Sequence, residues 1–381
     1  MLKPFIYATF TAKILAKCGF DKQKTIFISD HKIWQNCQKL LPDDFLSNFS
    51  SNFFLTDPIA DDLNLQLLQQ ATNKHQYIVA LGSGTIQDLC KLISSQNNKK
   101  YIIIISAPSM NGYLSQNASI EIDGIKQSLP AQLPVAVVCD LKILATAPQC
   151  LVAAGIGDAM CFYNCWFDWL LSNLFFQTKF TNKPFLLLKK AMSQFIDNYQ
   201  NYQLNDLALL KILTNILLLS GWGMTLANGS YPASQGEHIL AHYLTTEHKK
   251  AFAHMLHGEI IAFTTITTNL IQQQILHKLQ QNSLNTNIKS GNDFFHNTIW
   301  QNCQTDYCNK IKTNAVKINQ QKVYQKLAKI YLPTIKLINI FKHFSIKYQP
   351  SDLPISPQQY QSAINNAKYI RSRITCLDFN L

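Results

Sequence analysis

A chain of 381 residues is long enough for two domains with separate cores. Hydrophobic residues at 47% and charged residues at 15% exclude an intrinsically disordered chain. The formal charge of +12 comes almost wholly from lysine, Arg371 and Arg373 being the only arginines. The clustered arginines and aromatics of a nucleic-acid binder are therefore missing, and no nucleic-acid partner is expected. No basic stretch followed by an apolar core and a small-residue cleavage site opens the chain, so no signal peptide is expected. The apolar run Ile212 to Ala227 is cut off by Lys211 and interrupted by Gly221 and Gly223. It is expected to be too short for a membrane span and to form a buried helix instead, which places the protein in the cytoplasm. The ten cysteines hold no C-x-x-C pair. The nearest pairs, Cys161/Cys165 and Cys303/Cys308, lack structural-zinc spacing and read as reduced core residues.

In chain order, Lys24 to Asp30 (KTIFISD) reads as a buried parallel strand, with Asp30 at its carboxyl end. An acid there suits either a nucleotide ribose or a turn. Trp34 to Leu41 reads as helix and Phe53 to Leu55 as a second strand. The strand Tyr77 to Leu81 runs into Gly82, Ser83, Gly84 and Thr85 and then into a helix with Asp88 and Lys91. Glycines there let the backbone approach a pyrophosphate, and the helix N-terminus offers it unpaired N–H groups. Tyr101 to Ser106 is another buried strand, emptying into the loop Ala107 to Tyr113 at the sheet edge where ligands bind in parallel sheets. Gln116 to Leu129 alternates around Asp123-Gly124, a hairpin signal, and Pro134 to Cys139 is one more strand. Residues 1–145 therefore read as a nucleotide-binding α/β domain and 146–381 as a helical one. Helices are expected over Ala153 to Leu170, Pro184 to Tyr199, Leu207 to Ala227, Gly258 to Leu279 and Pro357 to Arg373, with much of 280–319 a polar loop or insertion.

Ser234 to Glu259 holds five of the ten histidines. His238 and His242 are one helical turn apart, and His254 and His257 share a face at helical spacing. Such histidines are either surface and hydrogen-bonded residues or ligands of a divalent metal, completed by a carboxylate from elsewhere. Asp158, at a helix start, is either a cap or that carboxylate.

GSGTIQD, SAPSMNGY, DGIKQSLPAQLPVAVVCDL, AAGIGD, GEHILAHY, HGE and IRSRITCLDF stand in the order found in glycerol-1-phosphate dehydrogenases. The chain, from about Lys24 to Phe379, resembles that family and its superfamily of iron-type alcohol dehydrogenases, glycerol dehydrogenase and dehydroquinate synthase. The resemblance implies an α/β N-terminal Rossmann-like domain plus an all-α C-terminal domain, the dehydroquinate synthase-like fold, with the active site in the cleft between them. It implies Asp158, His238 and His257 as ligands of one divalent metal, zinc first, with nickel or iron also accepted by such ligands. It implies NAD or NADP on Gly82, Ser83, Gly84, Thr85, Asp88, Ser106, Ser109 and Ser115. Asp30, read from its strand end, would disfavour a 2′-phosphate and bias toward NADH if it bonds the ribose. His242 falls on the substrate-side histidine. The family's PSMDGY has an aspartate where this chain has Asn111, which keeps size and hydrogen bonding but loses the charge. The implied activity is NAD(P)H-dependent reduction of dihydroxyacetone phosphate to sn-glycerol 1-phosphate, a small phosphorylated substrate, with homo-oligomerisation left open. Another polyol dehydrogenase, a dehydroquinate-synthase-type lyase and a non-catalytic nucleotide-binding relative stay open beside it.

Overall fold

In the computed structural model, residues 4–122, 125–287, 300, 303–311 and 314–379 are described. The hairpin tip at Asp123-Gly124 and parts of the polar segment 280–319 lie outside them. The strands are β1 (Phe5–Tyr7), β2 (Thr25–Asp30), β3 (Ser51–Leu55), β4 (Tyr77–Gly82), β5 (Lys100–Ile105), β6 (Asn117–Ile122), β7 (Ile125–Pro130) and β8 (Ala136–Val138). The helices up to residue 198 are α1 (Ala12–Lys17), α2 (His31–Cys37), α3 (Asp62–Thr72), α4 (Gly84–Gln96), α5 (Leu141–Leu144), α6 (Gln149–Ala159), α7 (Phe162–Phe176) and α8 (Lys183–Asn198). Beyond it come α9 (Leu207–Ala227), α10 (Gly236–Glu247), α11 (Lys249–Phe252), α12 (His257–Gln280), α13 (Gln304–Ile311), α14 (Gln320–Ala328), α15 (Thr334–His343) and α16 (Pro357–Asn366).

The chain divides into two compact units, one of Met1–Gly155 with Ala191–Asn228, the other of Ile156–Lys190 with Gly229–Leu381. The units are not the linear pair expected, because 191–228 belongs with the N-terminal segment. The reason is local: Thr225 on α9 donates to the Leu114 carbonyl at 2.8 Å, so α9 packs on the loop after β5.

The first unit holds a six-stranded parallel sheet of order β1-β8-β5-β4-β2-β3. Its central strands read as unbroken apolar runs because both faces are covered: Ile78–Leu81 and Tyr101–Ile105 are fully buried. From β2 the chain goes outward to β3 and returns to lay β4 on the other side of β2. That reversal puts the carboxyl ends of β2 and β4, hence Asp30 and Gly82, at the switch point where open parallel sheets bind ligands. The hairpin β6–β7 forms as its alternation predicts.

The loop from Ser106 to Asn117 is held from beneath by Lys91 on α4. This lysine is wholly buried and donates to the carbonyls of Gly112 (2.7 Å) and Asn117 (2.9 Å) and to Ser115 Oγ (3.3 Å). Asp88 stands 3.7 Å away. Burial pushes Lys91 down and Asp88 up, and their mutual attraction offsets part of both shifts.

The second unit is helical, and no strand occurs after β8 among the described residues. Its interior is partly polar: Asn164 on α7 donates to Thr265 O (2.8 Å) and Thr268 Oγ1 (2.9 Å) on α12, and Gln272 donates to Asp168 Oδ1 (2.8 Å). Lys310 and Asp378, both fully buried, pair at 2.6 Å and tie α13 to the C-terminal stretch. Part of the polar segment 280–319 is helical, as α13, which is compatible with loop over much of the rest. Two expectations are corrected here. The last helix ends at Asn366 rather than Arg373. The stretch around Ile212–Ala227 is not too short, since α9 has 21 residues. By length and composition α9, and likewise Gln149–Phe176, could cross a membrane; both are mostly buried inside the protein, which accounts for their apolarity.

Lys91→Met would leave three oxygens in the loop without their shared donor. It should cost about 3–5 kcal/mol, as breaking a buried pair does, and raise loop mobility. Urea unfolding and amide exchange over 106–117 measure this, and wild-type stability in the variant would refute the pinning role.

Candidate active site

Asp158, His238 and His257 converge in the second unit. Their donor atoms all lie within 4.8 Å of one another. His238 Nε2 is 3.6 Å from Asp158 Oδ1, and the rings of His238 and His257 are 5.2 Å apart. Asp158 and His238 are buried and His257 half-buried. Two donors bound to one cation at about 2.0–2.1 Å with tetrahedral angles stand about 3.4 Å apart, and the His238–Asp158 pair at 3.6 Å is already close to that spacing.

The convergence depends on Gly157. A Cβ there would come within 2.2 Å of the Gly258 carbonyl oxygen, so only glycine lets α6 lie against the first turn of α12. Asp158 and His257 are the next residues on the two sides of that contact. α10 is fixed by Asp168 on α7, whose Oδ2 accepts from the Gly236 N–H at 3.2 Å. His238 is then oriented by its own neighbour: its Nδ1 is 2.8 Å from Glu237 Oε1. With Glu237 ionised, Nδ1 carries the proton and Nε2 faces Asp158, the arrangement that fixes the tautomer of a metal-binding imidazole. Burial opposes charge on His238, but its bonds to Asp158, Cys161 and Glu237 prevail and hold its pKa well above the ordinary value. Burial, the largest single influence, would raise Glu237, but the bond and charge of His238 together with the bonds from the Gln235 N–H and Cys165 outweigh it and hold the carboxylate below its usual range.

His242 lies one turn along α10, with its ring 6.1 Å from His257 and 6.3 Å from His238. Of the five histidines, His238, His242 and His257 therefore cluster. His248 caps the C-terminus of α10, and His254 is exposed in the turn before α12, so it does not share a helix face with His257.

In the first unit, Gly82 ends β4, and Ser83 precedes α4 without a side-chain cap bond. Ser83, Gly84 and Thr85 are half-buried at this N-terminus, whose first-turn N–H groups have no intrahelical partner and favour an anion. A Cβ on Gly82 would stand 2.4 Å from Ile86 Cβ, so glycine is needed for the sharp strand-to-helix turn. Asp30 spends Oδ1 on capping α2, accepting from Lys32 N at 2.6 Å and Ile33 N at 3.2 Å. Asp88 is turned inward beside Lys91. Ser106 and Ser115 are buried, Ser115 accepting from Lys91 and donating to Gly112 O and Asn117 O. Ser109 bonds with Tyr113, and Asn111 is half-buried before the turn Gly112–Leu114. Glu237 and Lys91 are the residues that sequence reasoning left without a role. Their adjacency to His238 and to the glycine loop was visible, but the inward direction of their side chains was not.

The fold over the whole chain is that of glycerol dehydrogenase and related alcohol dehydrogenases. A probable glycerol dehydrogenase of Sinorhizobium meliloti aligns with 98% of this chain and 90% of its own, with TM-score 0.64 at 15% identity. Maleylacetate reductase of Agrobacterium tumefaciens aligns with 96% and 90%, also at 0.64, with 12% identity. Residues 9–148 match the family model of iron-containing alcohol dehydrogenases. The chain is similar to glycerol-1-phosphate dehydrogenases (NAD(P)+): that of Halalkalibacterium halodurans is 30% identical over 222 residues, 58% of this chain and 56% of that protein. That of Geobacillus stearothermophilus is 26% identical over 326 residues, 85% of this chain and 76% of that protein. The first match spans only about half the length of the relative.

Two measurements test the site. Gly157→Ala should push α6 from α12 and lower metal affinity at this cluster at least tenfold, and His257→Ala should bind one equivalent fewer than wild type; elemental analysis showing wild-type metal content in both would refute the cluster. Asp168 gives a pH test. Burial and then the charge of Glu237 raise its pKa to about 7, above an unfolded value of about 3.9. Its neutral form is thus favoured by folding: the contribution is full below about pH 4 and is lost as pH rises through about 7, by about 1.4 kcal/mol per unit. The stability advantage of wild type over Asp168→Asn, from urea unfolding, should shrink across that window; a constant difference would refute it.

Proposed function

We propose that the protein is a metal- and NAD(P)-dependent oxidoreductase that reduces dihydroxyacetone phosphate to sn-glycerol 1-phosphate. The carrying observation is the convergence of Asp158, His238 and His257, one carboxylate and two imidazoles, on one point. A divalent cation bound there, zinc, nickel or iron, would polarise the substrate oxygen as a Lewis acid, and bound NAD(P)H would supply hydride. Curated relatives bearing the name glycerol-1-phosphate dehydrogenase support the substrate, as does a basic chain of net charge +12 for an anionic ligand.

Placement supports a role for each residue. The helical unit is the metal-binding part and the sheet unit the nucleotide-binding part. Glu237 keeps the proton on His238 Nδ1 and so keeps Nε2 as the donor. His242, beside the ligand cluster but outside it, is the group that moves a proton to the reduced oxygen. The N–H groups at the start of α4 hold the pyrophosphate, with Ser83 and Thr85 beside them, and Asp30 at the neighbouring strand end meets the ribose. Asn111 accepts from or donates to substrate hydroxyls without adding charge near a phosphate ester.

Purified protein loaded with metal should oxidise NADH or NADPH with dihydroxyacetone phosphate in preference to unphosphorylated ketoses. His242→Ala should lower kcat by about a hundredfold or more, the usual scale of general acid–base catalysis. Asn111→Asp should shift KM or substrate preference while metal content stays constant. No turnover of any small ketose phosphate by wild type or Asn111→Asp, with either cofactor and stoichiometric metal, would refute the reductase.

A further inference from the structure

A second cluster of donors lies beside the first, with Cys161 Sγ donating to the Asp158 carbonyl at 3.0 Å. Cys161 stands between α6 and α7, and Cys165 is one turn further on. Their sulfur atoms are 3.8 Å apart, and Cys165 Sγ is 3.1 Å from Glu237 Oε1. Donor atoms of Cys161, Cys165 and Glu237 all fall within 4.8 Å of one another, and all three residues are buried. Two thiolates on one tetrahedral cation, at about 2.3 Å each, stand about 3.8 Å apart.

A second observation points to a ligand. Glu237 Oε1 accepts from His238 Nδ1 (2.8 Å), the Gln235 N–H (2.8 Å) and Cys165 Sγ (3.1 Å). Its other oxygen, Oε2, is buried with no hydrogen-bond partner. A fully buried carboxylate oxygen left unsatisfied is costly and rare, and beside two thiols it has the chemistry of a vacant ligand position. Arg373, partnered with Ser230 and Ser234, feels the negative charge of Glu237.

We propose that Cys161, Cys165 and Glu237 form a second metal site, for a thiophilic divalent cation such as Zn2+ or Co2+, joined to the first through the Glu237–His238 bond. Binding releases the two thiol protons. The two thiolates and the carboxylate then carry three negative charges, offset by the cation and the Arg373 guanidinium. Glu237 gives Oε2 to the cation and keeps Oε1 on His238, so occupancy leaves the imidazole in place. The pair therefore works as a ligand set despite lacking C-x-x-C spacing, because four residues of helix bring both sulfurs to one face.

The site does not rest on the reductase reading, and Co2+ titration of chelator-stripped full-length protein separates the two. Wild type should bind two equivalents and show a thiolate-to-cobalt charge-transfer band, which ligation by aspartate and histidine cannot produce. Cys161→Ser and Cys165→Ser should each abolish the band and keep one equivalent. His257→Ala should keep the band and lose the other equivalent. A wild type that binds one equivalent without the band, or a band that survives both cysteine substitutions, overturns the proposal. Should the serine variants fail to fold, a band absent from both wild type and His257→Ala overturns it equally.

Discussion

The helical unit depends on one buried line of charge, Glu237 to His238 to Asp158, spanned by contacts of 2.8 and 3.6 Å. Each member alone would be costly at near-zero exposure. Together they hold an ionised carboxylate, an oriented imidazole and a second carboxylate in a row, with Nε2 aimed by Nδ1. The surrounding helices are arranged to keep that row straight. Asp168 receives Gly236 at the start of α10 and Gln272 from α12, so α7 serves as the post against which the other two are registered.

The contact between Gly157 and Gly258 is the steric counterpart of that electrostatic line. A helix pair separated by side chains packs at about 8–10 Å between axes; removing the Cβ brings backbones to direct contact. Asp158 and His257, the proposed metal ligands, then come from helices that approach more closely than ordinary side chains allow. Charge placement and backbone proximity thus decide the same few ångströms.

In the sheet unit a comparable task falls to Lys91. A cation with no exposed surface binds three loop oxygens at once, which fixes a segment that has little regular structure of its own. Lys310 does the same for the C-terminal stretch through Asp378 and the Lys368 carbonyl. Buried lysines here hold irregular backbone, because their ammonium groups satisfy several acceptors where secondary structure cannot.

The sequence by itself determined the class of the fold. The runs around Ile78–Leu81 and Tyr101–Ile105 could only be strands buried on both faces, and the glycine loop after the first marked the sheet edge. The apolar run 207–227 marked a helix with the bounds found, while its burial was decided by packing, since its length and composition suit a membrane span equally. His238 and His242 were legible through helical spacing, and His257 through family motifs, its expected pairing with His254 having failed. Tertiary structure decided the rest. It assigned 191–228 to the N-terminal unit, since α9 meets the loop after β5 through a contact between residues over a hundred positions apart. It turned Asp88 and Ser115 toward Lys91 and gave Glu237 its place behind His238. It also set Cys161 and Cys165 beside that carboxylate, where spacing alone had suggested core filler. Periodicity reports which face of an element is apolar; it carries no information on which polar side chain turns inward to meet another, because that partner is chosen by packing between segments distant in sequence.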